Sequence, residues 1–173
     1  TIFSVGRLIK EKGYDRLINV HKRLLAQGKR HQIFILGEGT ERENLEQKIQ
    51  DNGVSTTFHL LGFQNNPYKY IAQADLFICS SRREGFSTAV TEALILGIPV
   101  VSTSCSGAYE LLGQNNEYGL VTENSEEGIY EGMYQMLNSS EFLKYYKTKA
   151  VERGKYFSKE KTVKAVEEML DTL

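Results

Sequence analysis

Residues 76–102 constrain the fold more than any other stretch of this 173-residue chain. The apolar run Leu76-Phe77-Ile78-Cys79 gives way to polar residues at Ser80, turns through Glu84, Gly85, Phe86, Ser87 and Thr88, and enters a helical pattern expected over 87–96. Ala89, Ala93 and Leu96 fall on one apolar stripe with Val90 and Leu94 beside it. Gly97 followed by Pro99 stops that helix before a second buried strand at 99–102. A strand that passes into a helix and returns as another buried strand fits a parallel sheet covered by helices. In such a sheet the loop lies at the carboxyl edge of the strands, where the free N–H groups of a helix start favour ligands.

The same alternation runs through the rest of the chain. Residues 1–5 read as a strand ended by Gly6, and 14–27 as an amphipathic helix with Tyr14, Leu17, Ile18, Leu24 and Leu25 on one face, closed by Gly28. His21 shares that face and reads as a core residue. Residues 32–37 form a second strand ending in Gly37-Glu38-Gly39, after which Thr40 and Glu43 predict a capping box for a helix reaching Asn52-Gly53. A short strand at 57–61 leads to Gly62 and Phe63, with Asn66 as cap and Pro67 as first residue of the next helix. After 99–102 come a small-residue loop at 104–108, a short helix at 109–112 and a sixth strand at 119–121. Helices follow at 125–138, 141–157 and 159–173, with Ser125 and Ser158 as caps. The expected fold is α/β: a doubly wound, Rossmann-like parallel sheet of about six strands with flanking helices, one domain over 1–173. Gly6, Gly37, Gly62, Ser80 and Ser102 then all stand at carboxyl ends of strands.

A hydrophobic content of 40% suits one sizeable core, and a net charge of -1 gives no electrostatic reason to expect a nucleic-acid surface. Two cysteines are too few for a disulfide framework; Cys79 and Cys105 read as reduced thiols, Cys79 in the core. No apolar run approaches the roughly 20 residues that span a bilayer. The chain opens at Thr1 directly into a strand, as expected of a piece of something longer.

Two sets of charged residues border the carboxyl edge. Glu84 and Glu92, with seven residues between them, can reach one crevice from the loop and from the helix. A carboxylate accepts from two hydroxyls at once, which suits the vicinal diols of a ribose or hexose, and it equally suits a solvated helix surface. Arg7 and Lys12, flanked by Gly6 and Gly13, fit a diphosphate approached closely by backbone, or two solvated surface cations. Lys10 reads as a surface charge.

The segment EGFSTAVTEAL resembles the Glu-x(7)-Glu signature of the retaining group 1 glycosyltransferases, enzymes of two Rossmann domains, and GIPVVSTSCSGAYELL continues it as that family does. A second, independent signature is matched by Gly6-Arg7-Leu8-Ile9-Lys10-Glu11-Lys12-Gly13-Tyr14-Asp15. The resemblance covers nearly the whole chain and fades in the C-terminal helices. It implies a donor-binding C-terminal domain that takes a nucleotide-diphosphate sugar, with UDP the commonest carrier. Arg7 and Lys12 would hold the diphosphate and neutralise the leaving group, and Glu84 would hold the donor sugar, these three forming the catalytic set. Glu92 would bind the ribose; Gly6 would let the backbone approach the donor; Gly37 and Glu38 would form one wall of the nucleotide pocket; the backbone of Leu61, Gly62 and Phe63 would contact the base; the backbone of Gly85, Phe86, Ser87 and Thr88 would support sugar and phosphate. Phe63 reads equally as core packing. The family pattern also implies no cofactor and no metal, a glycan or lipid-linked acceptor held by a separate N-terminal domain missing here, and cell-surface polysaccharide synthesis in the cytoplasm or at the inner membrane face. Ser104 stands where many relatives carry Asp, and Glu110 matches a recurrent glutamate that also reads as surface charge. A non-hydrolysing sugar-nucleotide epimerase and a non-catalytic nucleotide-sugar-binding module share the architecture. A flavodoxin-like receiver would need an acidic cluster where Gly6-Arg7 stands.

Overall fold

In the computed structural model, which describes residues 1–157, six parallel strands form one sheet in the order β3-β2-β1-β4-β5-β6. The strands are β1 (Ile2–Val5), β2 (Ile33–Leu36), β3 (Phe58–Leu60), β4 (Leu76–Cys79), β5 (Val100–Thr103) and β6 (Leu120–Thr122). Register runs Ile2 to Ile33 on one side of β1 and Ile2 to Leu76 on the other. The order therefore reverses between β1 and β4, and the loops leaving those strands part to open a crevice.

The helices are α1 (Tyr14–Ala26), α2 (Arg42–Asp51), α3 (Tyr68–Ile71), α4 (Thr88–Ile95), α5 (Ala108–Leu112), α6 (Glu126–Asn138) and α7 (Ser140–Gly154). Strand periodicity of two assigns neighbouring residues to opposite faces. Ile2, Ile33, Ile35, Ile78 and Val101 pack in one layer with Leu17 and Ile18 of α1, Leu45 and Ile49 of α2, and Met133 of α6. Phe3, Leu36, Phe77 and Val100 pack in the other with Ile71, Val90, Ala93, Leu94, Leu111 and Ala150. The doubly wound sheet expected from the sequence is thus the observed fold.

Several local expectations differ. No side chain caps α2: Glu41 occupies the N-cap position, and its N–H donates to the Leu8 carbonyl at 2.9 Å. A Cβ at Gly39 would lie 2.3 Å from that same carbonyl, so docking of the turn on the β1 loop, rather than a Thr40–Glu43 box, sets where α2 begins. Pro67 is the N-cap of α3 and Asn66 caps nothing; α3 is a single turn, fixed by N–H groups of Tyr70 and Ile71 donating to the Pro67 carbonyl. In α4 the buried stripe is Val90, Ala93 and Leu94, with Ala89 partly buried against the same core at the edge of the crevice, while Leu96, the C-cap residue, is 36% exposed. The helix expected over 141–157 is α7 capped by Ser139, followed by a 3₁₀ turn at Lys155–Phe157. The cap at Ser158 and the helix over 159–173 lie outside the described residues. Caps at Ser87 and Ser125 are present, their hydroxyls accepting from the Val90 and Gly128 N–H groups.

Two glycines join the loops of the carboxyl edge. Gly37, at φ 148°, would place a Cβ 2.0 Å from the Gly6 carbonyl oxygen, and Gly13, at φ 66°, one 2.2 Å from that of Ser80. Any side chain at either position would drive the loops apart.

His21 is fully buried, as its place on the α1 face implies, and it belongs to a hydrogen-bonded chain. Its Nδ1 lies 2.8 Å from His31 Nε2 and its Nε2 2.9 Å from Thr57 Oγ1, while His31 Nδ1 lies 2.7 Å from the Lys29 carbonyl. A carbonyl only accepts, so His31 is protonated on Nδ1, His21 donates to its Nε2, and Thr57 donates to His21. Every ring nitrogen is satisfied with both imidazoles neutral.

Candidate active site

A cleft of about 1210 Å³ opens where the strand order reverses. Its walls are the loop after β1 (Gly6, Arg7, Ile9, Glu11, Lys12) and the loop after β4 with the start of α4 (Arg82 to Ala89, and Glu92). Ser104, Cys105 and Ser106 after β5, Pro67, and Asn124 after β6 complete them. A smaller groove of about 300 Å³ adjoins it, sharing Val5, Gly6, Arg7 and Pro67 and adding Leu36, Gly37, Glu38, Phe63 and Gln64.

The main cleft brings together Gly6, Arg7, Lys12, Glu84, Gly85, Phe86, Ser87, Thr88 and Glu92 of the residues singled out in the sequence, and the smaller groove takes Gly37, Glu38 and Phe63. Phe63 is 73% exposed, so it stands at the groove's rim and is not core packing. Leu61 lines neither space: its N–H continues the ladder to the Ile35 carbonyl and its side chain packs on the core. Gly62 contributes backbone, its carbonyl accepting from the Gly37 N–H at 2.9 Å. Glu110 lies exposed on α5, away from the cleft lining. Cys79 and Cys105 are both buried free thiols.

Lys12 and Glu84 are joined by a direct ion pair, and their side chains are only 21% and 19% exposed. The same Glu84 oxygen accepts from Ser81 Oγ at 3.1 Å. Lys12 therefore keeps ammonium donors, and Glu84 a second carboxylate oxygen, for a ligand. Glu92 accepts from Tyr68 Oη at 3.2 Å, and its negative charge pushes the Tyr68 phenol above its ordinary pKa. Arg7 and Arg83 line the cleft and have no hydrogen-bonding or ionic side-chain partner among the described residues, so two guanidinium groups are uncommitted there. The N-terminal end of α4 faces the same space, adding its partial positive charge. Among the described residues no group of three or more His, Cys, Asp or Glu side chains is placed to hold a metal ion.

Sequence reasoning passed over Arg82, Arg83, Glu11 and Asn124. Arg82 forms a two-pronged pair with Asp15 at 2.6 and 2.8 Å, and the hydrogen bond from Arg82 draws the Asp15 carboxyl below its ordinary pKa. Asn124 follows β6, and the rule that marked Gly6 and Gly62, residues just past a strand's carboxyl end, would have marked it as well.

The sequence model of the family described as Glycosyl transferases group 1 matches residues 1–153. A Campylobacter jejuni N-acetylgalactosamine-N,N'-diacetylbacillosaminyl-diphospho-undecaprenol 4-alpha-N-acetylgalactosaminyltransferase is 41% identical over 162 residues, covering 92% of this chain and 43% of that protein. The lipopolysaccharide core biosynthesis glycosyltransferase LpsE of Rhizobium meliloti is 30% identical over 154 residues, 88% of this chain and 43% of LpsE. The chain thus spans less than half the length of these curated relatives. Among solved structures, Anabaena HepE in complex with UDP superposes with a TM-score of 0.87 at 22% identity, over 99% of this chain and 48% of HepE. The C-terminal domain of the group 1 family protein LpcC from Francisella tularensis superposes with a TM-score of 0.79 at 22% identity, over 92% of this chain and 86% of that domain. Both sequence signatures converge on one cleft of a sheet of this fold, and the family's own pattern runs through nearly all of it: the chain belongs to the group 1 glycosyltransferases.

Proposed function

We propose that this chain is the donor-binding half of an enzyme that moves a hexose or N-acetylhexosamine from UDP to an acceptor hydroxyl with retention of configuration. The observation that carries the reading is the convergence of Arg7, Lys12, Glu84 and Glu92 on one cleft facing the start of α4. The diphosphate lies against Arg7, the free ammonium donors of Lys12 and the helix end, which take up negative charge as the sugar departs. That positive charge serves the leaving group without a metal ion. Glu84 accepts from a sugar hydroxyl through its uncommitted oxygen, backbone at Gly85 to Thr88 supports sugar and phosphate, and Glu92 accepts from the ribose diol. The smaller groove, with Phe63 at its rim, takes the base.

Support for the sugar class and setting comes from relatives whose names specify N-acetylgalactosamine transfer to a diphospho-undecaprenol acceptor and lipopolysaccharide core synthesis. Support for the carrier comes from HepE, solved with UDP. The acceptor, a glycan or a lipid-linked one, is held by a separate N-terminal domain at the cytoplasmic side of the membrane, and this half alone binds donor without transferring it.

The role of Glu92 is the sharpest test. Glu92→Gln preserves shape and removes charge, so calorimetry should show UDP affinity falling about tenfold while that for 2′,3′-dideoxy-UDP stays unchanged. Equal losses for both ligands would show Glu92 acting through the fold and not on the ribose.

A further inference from the structure

We infer that Asn124 is a positioning residue for the loop that carries Glu84, an assignment that rests on the donor-binding reading above. The loop after β4 leaves the sheet with no regular structure until Ser87, yet it must hold a carboxylate and a run of backbone groups in fixed places. Three loops meet to hold it. Arg16, buried beneath, donates from Nη2 to the Ser80 carbonyl at 2.9 Å and to Asn124 Oδ1 at 2.6 Å, and from Nη1 to the Asn124 carbonyl at 3.2 Å. Asn124 Nδ2 then donates to the Arg82 carbonyl at 2.9 Å, two residues before Glu84, and lies 3.6 Å from Cys105 Sγ.

The amide is thereby used from both ends. Its oxygen is fixed by a buried guanidinium, and its nitrogen fixes the loop. Arg82 is held on its other side by the β1 loop: its N–H donates to the Glu11 carbonyl at 2.6 Å and its guanidinium to Asp15 and the Lys10 carbonyl. The contacts of Arg82 on that side come from the loop bearing Lys12 and from Asp15 in the first turn of α1, whereas Asn124 ties the Glu84 loop to β6. Loss of the amide donor leaves the Arg82 carbonyl without its tie to the β6 side, while the Arg82 N–H stays on Glu11 and the Ser81 carbonyl on Thr103 Oγ1 and Cys105 Sγ, so the peptide leading to Glu84 is held from one side only.

Asn124→Asp isolates this function. The carboxylate still accepts from Arg16, so the fold retains its buried pair, but it cannot donate to the Arg82 carbonyl. UDP carries about one more negative charge than a UDP-sugar, so the added carboxylate opposes UDP the more strongly, and a shift of the ratio against the UDP-sugar cannot come from that charge. The tighter-binding of UDP-N-acetylgalactosamine and UDP-glucose is compared with UDP by calorimetry in wild type, Asn124→Asp and Glu84→Gln, with thermal unfolding alongside. Positioning predicts that Asn124→Asp shifts the ratio against the UDP-sugar by about tenfold, in the same direction as Glu84→Gln, with melting temperature nearly unchanged. A shift in Glu84→Gln with none in Asn124→Asp overturns the inference and leaves the donor reading standing. No shift in either variant overturns both.

Discussion

Lys12→Ala should weaken UDP binding by at least about tenfold while leaving uridine affinity nearly unchanged, because a charge-assisted contact to phosphate is worth about 1.5–3 kcal/mol. The effect should exceed that of Arg7→Ala. Arg7 is exposed and has no ionic partner among the described residues, so its removal subtracts one cation. Lys12 is paired with Glu84 in a space where both are largely shielded, so its removal also leaves a carboxylate uncompensated beside the diphosphate. Two consequences separate these contributions. Adding Glu84→Gln to Lys12→Ala should restore part of the lost UDP affinity, and neither change should move uridine. If calorimetry shows UDP and uridine losing equally in Lys12→Ala, the lysine serves the fold and not the phosphates.

Acidification should destabilise the chain well before its carboxylates titrate. Burial, followed by the proximity of His31 and His59, pushes His21 down to about 3 from an ordinary 6.5, and burial lowers His31 as well. Both rings are neutral in the folded chain and take up protons when unfolded. The stability they confer is complete above pH 6.5 and is lost progressively as pH falls toward 3. For His21 alone the loss reaches about 2 kcal/mol at pH 5, equivalent to a melting temperature lower by about 4–8 °C in a domain of this size. At that pH the lowered carboxyl of Asp15 still contributes fully, since its contribution fades only below its unfolded value of 3.8. Thermal unfolding at pH 8 and pH 5 checks this, with His21→Gln as the comparison. The variant should start less stable and lose less on acidification. Equal losses in both would mean that the histidine chain does not control acid stability.

The fold was legible where local pattern and tertiary demand agree. Apolar runs ended by Gly or Ser gave the strands, and α1 declares itself because Leu17, Ile18 and Leu24 recur at helical spacing against the sheet. Arg7, Lys12, Glu84 and Glu92 stand in loops after strand ends or on the following helix, where their charges also suit a solvated surface, and the resemblance to two family signatures is what singled them out. Features that depend on distant backbone were hidden. The start of α2 is fixed by the Leu8 carbonyl, not by Thr40, and no pattern in residues 40–43 reports that. Nothing local to Arg82 reports its partner Asp15, 67 positions away, or the Asn124 amide that reaches its carbonyl across 42. Leu61 was placed in the nucleotide pocket through its backbone alone, and its side chain packs on the core.

The central claim, that the carboxyl-edge cleft is a nucleotide-diphosphate site, is tested most directly by titrating the isotope-labelled chain with UDP and following each backbone amide by NMR. On the two-domain reading proposed above, the dissociation constant should be about 10 μM to 1 mM. Binding there predicts saturable shifts at Gly6, Gly62 and Glu92, with the amides of His21 and Thr57 on the far layer unmoved. No saturable shift, or shifts confined to residues away from the carboxyl edge, would contradict it.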